Sequence, residues 1–284
     1  MGDGIKYSVF SLILPDLEFS EQVSLIKEAG WDGIEVRVAD LEPDKKSEPF
    51  SYWGNRRDGI GPSNIAALVP SMKAECDRAG IAIAALAPYS MADEPDKFGP
   101  MAQAAARLDC KIVRVMAPWF GQDGRFEQLF KTARNGLGKI EESAKQHRVK
   151  AALEIHMGGI ATSPSGARRL VDGFNPDFIG VTLDPGNMVY EGYEQWKMAC
   201  QLLGPYLAHV HIKNAVWKKQ TDEPSAPAVW KCEGAPVRAG YANWSEVMEA
   251  LRSVGYQGWL SLEDFTPVPH REKLDSVLAF LKSL

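Results

Sequence analysis

Eight times along the chain a short β-branched or apolar run gives way to a longer stretch whose apolar residues recur at helical spacing, and few folds can absorb that rhythm. The runs are YSVFSLIL near the start, then GIEVRV (33–38), IAIAALAP (81–88), KIVRVMAP (111–118), KAALEIH (150–156), IGVTLD (179–184), LAHVHIK (207–213) and GWLSLED (258–264). Between them lie patterns such as FSEQVSLIKEAG, where Val23, Leu25, Ile26 and Ala29 suit one helix face, and several of these stretches end at Gly. Each helix returns the chain to the same end of the sheet, so the strands must pair in parallel. Eight such units over roughly 250 residues is the length at which a parallel sheet closes. The predicted fold class is α/β, a (β/α)8 TIM barrel forming a single domain over residues 1–284. A doubly wound open sheet has less support, because no GxGxxG or GxxxxGK[ST] follows the first strand.

Composition narrows the partners. A net charge of −5 and the absence of a long Lys/Arg block argue against nucleic acid and against a membrane surface, leaving a small soluble molecule as the expected ligand. No leader-like segment or bilayer-length apolar run is present, so the expected localisation is cytoplasmic. Cys76, Cys110, Cys200 and Cys232 are far apart, without a CxxC pair, and read as reduced filler or surface thiols. A homo-oligomer is compatible with the pattern. Two connections, 39–62 and 214–243, are too long for ordinary turns between strand and helix and read as lids or binding loops on the catalytic face.

Strand geometry then selects the reactive face. Side chains two apart share a face, so Leu260 and Leu262 point one way while Ser261 and Glu263 point the other. The same phase puts Glu154 and His156 opposite Leu153, Asp184 opposite Leu183, and His209, His211 and Lys213 opposite Val210 and Ile212. Four successive strands, the fifth to the eighth, thus send Glu154, Asp184, His211 and Glu263 inward at their C-terminal ends. With no obvious pairing arginine, three carboxylates and an imidazole would repel one another unless protonated or bound to a cation, and a divalent metal resolves the conflict. These are hard donors suited to Mn²⁺, with Mg²⁺, Co²⁺ or Zn²⁺ as alternatives.

LEIH, TLDPGN, HVHIKN and GYQGWLSLED resemble the fifth- to eighth-strand motifs of the xylose-isomerase-like TIM barrels, which include sugar and sugar-phosphate isomerases and epimerases, and GIEVR resembles their second-strand GxE. The resemblance spans nearly the whole chain. It implies Glu154, Asp184, His211 and Glu263 as metal ligands, with Glu154 and Glu263 doubling as catalytic proton-transfer groups. The sequence departs from the family where many members carry His three residues after the sixth-strand Asp, since Asn187 stands there as the candidate substrate contact.

Other residues are candidate substrate contacts, each with a second role open. Glu35 faces either the substrate or an arginine. His156 is a contact or a solvated loop residue. Lys213 stabilises an oxyanion or bridges to a ligand carboxylate. Tyr89, Trp119, Trp53 and Trp217 offer rings for sugar CH faces or simply pack, and His209 reads as an orienting neighbour of His211. Arg37, Arg56 and Arg57 would grip a phosphate or carboxylate if they were not solvated. Asp264, His147 and His270 read as peripheral.

The expected activity is divalent-metal-dependent isomerisation or epimerisation of a small sugar, keto-sugar or related polyhydroxy carbonyl compound, by proton transfer through an enediolate. A lyase or dehydratase on the same barrel is the nearest alternative. An endonuclease IV-like phosphodiesterase lacks the histidines it needs on the early strands, the first being His147, and a sugar-binding subunit without turnover stays open.

Overall fold

Every predicted run becomes a parallel strand, and the ring closes. The computed structural model describes residues 4–121, 124–221 and 227–284. The strands are β1 (Lys6–Phe10), β2 (Gly33–Val38), β3 (Ala82–Pro88), β4 (Ile112–Met116), β5 (Lys150–Glu154), β6 (Ile179–Leu183), β7 (Leu207–Ile212), the hairpin pair β8 (Ala215–Lys219) and β9 (Trp230–Gly234), and β10 (Trp259–Leu262). The helices are α1 (Phe19–Glu28), α2 (Ile65–Ala79), α3 (Phe98–Arg107), α4 (Phe126–His147), α5 (Pro164–Val171), α6 (Pro185–Glu191), α7 (Trp196–Leu203), α8 (Trp244–Ser253) and α9 (His270–Ser283). Strands β1 to β7 follow one another around the barrel, and β10 closes it between β7 and β1.

The alternation read from sequence sorts the core into two regions. Outward residues such as Val36, Val115, Leu153, Val181, Val210 and Leu260 join the helices in one continuous apolar shell. The bottom of the barrel is plugged by a separate small group, Ala85, Ile112 and Ala152, with Ala208 and Trp259 against it. Above this plug the interior turns polar, holding Glu35, Arg114, His209 and His211 at near-zero exposure. Buried charge concentrated at one level of a barrel is expensive, and it sits toward the C-terminal ends of the strands, where barrels build their sites.

Three features differ from the sequence expectations. The 214–243 connection is not an open loop at its root, because β8 and β9 pair antiparallel from Ala215↔Gly234 to Lys219↔Trp230; residues 222–226 of that loop lie outside the described residues. These strands are short, polar and exposed, so apolar patterning carries no trace of them. Next, PGNMVYE forms α6 directly after β6, its Pro at the first turn and Asp184 as its cap, where a helix of seven residues is too short to show a periodic stripe. Finally, the 39–62 segment is anchored rather than loose. Arg56, expected in a solvated loop, is buried, pairs with Asp58 at 2.7 Å and donates to the carbonyls of Ala39 and Ile60. Arg37 is buried too, and donates to Tyr52 O at 2.7 Å. Arg57 keeps the exposed role, facing Glu18 and Glu21. Cys76, Cys110 and Cys200 are buried free thiols pushed up to about 12 by burial, which makes them inert packing.

Candidate metal centre

Each of the four predicted ligands arrives from its own strand end. Glu154 is the last residue of β5, Asp184 follows β6, His211 lies near the end of β7, and Glu263 follows β10. All four are buried. Their donor atoms, one from each residue, lie within 4.8 Å of one another. His211 Nδ1 is 3.3 Å from each of Glu154 Oε1, Asp184 Oδ2 and Glu263 Oε2. One ring nitrogen carries at most one proton and cannot donate well to three acceptors at once, so hydrogen bonding accounts for at most one of these contacts. Donors bound to one ion at about 2.1 Å stand about 3.0 Å apart at right angles and about 3.4 Å apart at the tetrahedral angle. The observed spacing fits that range.

Charge balance leads to the same place. Glu35, Glu154, Asp184 and Glu263 are buried carboxylates, and the buried cations beside them are Arg114 and Lys213. Burial pulls His211 down, but Glu35, Asp184, Glu154 and Glu263 outweigh it and hold the ring well above its ordinary value; once the ring is neutral, as a ligand must be, the group lacks two positive charges, the amount one divalent ion supplies. Arg114 is the residue that sequence reasoning missed. It rises from β4, pairs with Glu154 Oε2 at 3.1 Å, and donates to the carbonyls of Ala87 and Pro88. The expectation of no pairing arginine is therefore corrected. An arginine in the middle of IVRVM, in phase with Met116, was the available signal. Burial raises the Glu154 carboxyl, but Arg114 and His211 outweigh it and hold the group below the ordinary carboxylate range. For Glu263, likewise, Lys213 at 3.2 Å and His211 overcome burial and lower it. Burial pulls Lys213 down, yet Glu263 and Asp184 raise it above its usual value, so it is a fixed cation.

The candidate histidine ligand is held from behind. His211 Nε2 faces Glu35 Oε1 at 3.4 Å, and His209 Nε2 faces Glu35 Oε2 at 2.9 Å. A carboxylate only accepts, so Glu35 keeps the His211 proton on Nε2 and leaves Nδ1 free to ligate. Phe10 stacks on the same imidazole, ring centroids 5.8 Å apart. Glu35 thus pairs with two histidines and not with an arginine, and it lies behind the ligand set. Asn187, the other expected substrate contact on this side, is also fully buried there. Its backbone N–H donates to Asp184 Oδ1 at 2.8 Å, and its side-chain amide donates to Ile155 O at 3.2 Å, which aims Asp184 at the centre. Glu35→Gln should lower affinity for Mn²⁺ about 10- to 100-fold, read by competition with a chelating dye, because an amide can present its N–H to the ring and release the tautomer. Unchanged affinity would show that the ring is fixed by Phe10 and the barrel alone.

Above the ligands opens a cavity of about 540 Å³ whose wall includes Glu154, Glu263, Lys213, His156 and Trp119, so these predicted residues do share one space. His156 Nδ1 donates to its neighbour Met157 O at 2.7 Å, leaving Nε2 as the basic edge. Trp119 meets the His156 ring edge-on at 5.2 Å. Trp217 instead donates to Val189 O and packs the hairpin. Gly186 lets α6 approach this wall, since a Cβ there would stand 2.5 Å from Lys213 Cγ. Asp264 turns away and caps Thr266 N at 2.8 Å, and His270 pairs at the surface with Asp16.

Comparison with known proteins agrees with this architecture. An inosose dehydratase of Mesomycoplasma hyopneumoniae strain 7448 is 26% identical over 143 residues, covering 48% of this chain and 47% of the relative, so the chain spans about half the length of this curated relative. The strain J protein of the same name is 22% identical over 269 residues, covering 87% of this chain and 81% of the relative. The solved 3-keto-D-glucoside 4-epimerase YcjR from E. coli superposes with a TM-score of 0.72 at 17% identity, covering 99% of this chain and 100% of that one. The IOLI protein with a bound zinc atom superposes at 0.68 and 18% identity, covering 98% and 95%. At these identities the structural likeness establishes the fold. Among the described residues, no helix is long and apolar enough to cross a membrane. A family model matches residues 23–284, nearly the whole barrel, and the chain belongs to the xylose isomerase-like TIM barrel family.

Proposed function

We propose that this protein is a divalent-metal-dependent isomerase or epimerase of a small polyhydroxylated carbonyl compound, working by proton transfer at the carbon beside the carbonyl. The observation that carries the reading is the pair Glu154 and Glu263, both on the cavity wall and each with its own cation, Arg114 and Lys213. An ion held by Glu154, Asp184, His211 and Glu263 supplies charge that acidifies a C–H next to a carbonyl. One glutamate then accepts the proton, and the other returns one at the opposite face or the adjacent carbon. Lys213, fixed between Glu263 and Asp184, stabilises negative charge as it develops on the substrate oxygens. Hard oxygen donors favour Mn²⁺, and because the IOLI neighbour binds zinc, reconstitution should compare Mn²⁺ with Zn²⁺.

A second reading, dehydration, is supported by the name shared by the curated relatives, inosose dehydratase. It begins with the same proton removal, after which the hydroxyl of the next carbon leaves as water by taking a proton from an acid on the cavity wall, for which His156 is the candidate. Metal-loaded protein incubated with ketoses and cyclic polyhydroxy ketones in D₂O should place deuterium at the carbon beside the carbonyl. Loss of the mass of one water would assign the dehydratase outcome. Turnover with neither solvent label nor internal proton transfer would refute proton transfer and favour a hydride shift.

A further inference from the structure

The cavity is larger, and more aromatic at its mouth, than one sugar ring requires. About 540 Å³ is the size that encloses a ligand of drug dimensions. Its inner end holds the carboxylates, whereas Trp53, Trp119 and Tyr89 line it while staying 57%, 51% and 38% exposed. Large exposed rings are normally free to move, yet these three are braced. Trp53 rests 5.3 Å from the Phe265 ring, which itself meets Tyr52 at 5.1 Å. Tyr89 lies between two guanidinium groups, 4.7 Å from Arg114 and 5.6 Å from Arg37. Arg37 also reaches Trp53 at 5.9 Å, and its donation to Tyr52 O at 2.7 Å fixes the guanidinium beside the two rings. Trp119 packs over Gly158, whose backbone is at φ 78°, a conformation that favours glycine and that brings the chain close under the indole. Rigid rings left open to solvent on the wall of a reactive cavity are a binding platform that has already lost its conformational freedom.

We infer that Trp53, Tyr89 and Trp119 form an outer subsite that stacks the second ring of a two-ring substrate, a glycoside whose inner sugar carries the reacting carbonyl. This rests on the enolisation reading for the inner site. The shared chemistry is a flat apolar face, which either a second pyranose or an aromatic aglycone supplies.

The test uses the Mn²⁺-loaded full chain and three unreactive probes, methyl β-D-glucoside, methyl β-cellobioside and phenyl β-D-glucoside, with binding read by calorimetry and tryptophan fluorescence. At least one two-ring probe should bind about tenfold tighter than the methyl glucoside, the size of a good ring contact. A preference for the cellobioside would assign a second sugar, and a preference for the phenyl glucoside an aromatic aglycone. In Trp53→Ala the ratio of two-ring to one-ring affinity should fall toward one, and Trp53→Phe should restore most of it, whereas a merely structural defect would weaken all probes together. Equal affinities in the wild type, a preference that survives Trp53→Ala, or no measurable binding of either two-ring probe would overturn the subsite. Failure of deuterium labelling with the preference intact would strike the enolisation reading alone, and labelling of single-ring ketoses without any preference would strike the subsite alone.

Discussion

Asp184→Asn should bind Mn²⁺ at least about 100-fold more weakly than the wild type and should abolish the stabilisation that the ion confers. The substitution is informative because Asp184 has two separable duties. Its Oδ1 caps α6 through the Asn187 N–H, while its Oδ2 points at the centre, 3.3 Å from His211 Nδ1. Asparagine is as good a helix cap as aspartate, so α6 should keep its start. Only the charge is lost. A group that binds the native state adds stability according to its concentration over its dissociation constant, about 2.7 kcal/mol at a hundredfold excess. The wild type should therefore melt clearly higher with Mn²⁺ than after chelation, and Asp184→Asn should melt at the same temperature in both. Its chelated form should be at least as stable as chelated wild type, since one of the uncompensated buried carboxylates is gone. Near-unit metal content in the variant by elemental analysis, with the melting gap preserved, would exclude Asp184 from the site.

The same residue shows why much of the centre was legible in the sequence. Strand alternation fixes which side chains point inward, and parallel pairing fixes that Glu154, Asp184, His211 and Glu263 end at one height; neither needs tertiary detail. The barrel and its strand order follow from the same local pattern. What stayed hidden depends on closure. Glu35 and His209 are 174 residues apart in sequence and meet only because the sheet closes on itself, so the pairing of β2 with the histidines of β7 leaves no local signature. Arg114 was visible as an inward charge on β4, but its partner was not, and with it came the charge balance of the centre. Arg56 reads as a solvated loop cation because burial of a loop is decided by what folds over it, and Arg37 near the end of β2 is covered by Tyr52 of that same segment. The hairpin of β8 and β9 enters the apolar core only at Ala215 and Cys232, too few positions to mark it by hydrophobic spacing.

Glu154→Gln and Glu263→Gln should each lower kcat by about 10²- to 10⁴-fold, the range expected for losing a positioned proton-transfer group. Both residues are candidate ligands as well, so rates are to be compared only at Mn²⁺ concentrations where each variant reaches the wild-type metal content. Under that condition the two substitutions should differ in a way that loss of metal cannot imitate. Removing the group that takes the proton stops every later event, so substrate recovered from D₂O should carry no label. Removing the group that returns the proton leaves the first step intact, so recovered substrate should exchange its proton while product formation stays low. The two glutamates stand in different surroundings, Glu154 paired with the guanidinium of Arg114 and Glu263 with the ammonium of Lys213. If both metal-replete variants keep turnover within tenfold of the wild type, the two glutamates serve as ligands only, and the proton is moved by another group on the wall. His156 is then the next candidate, its Nε2 being the basic edge of a ring that already lines the same space.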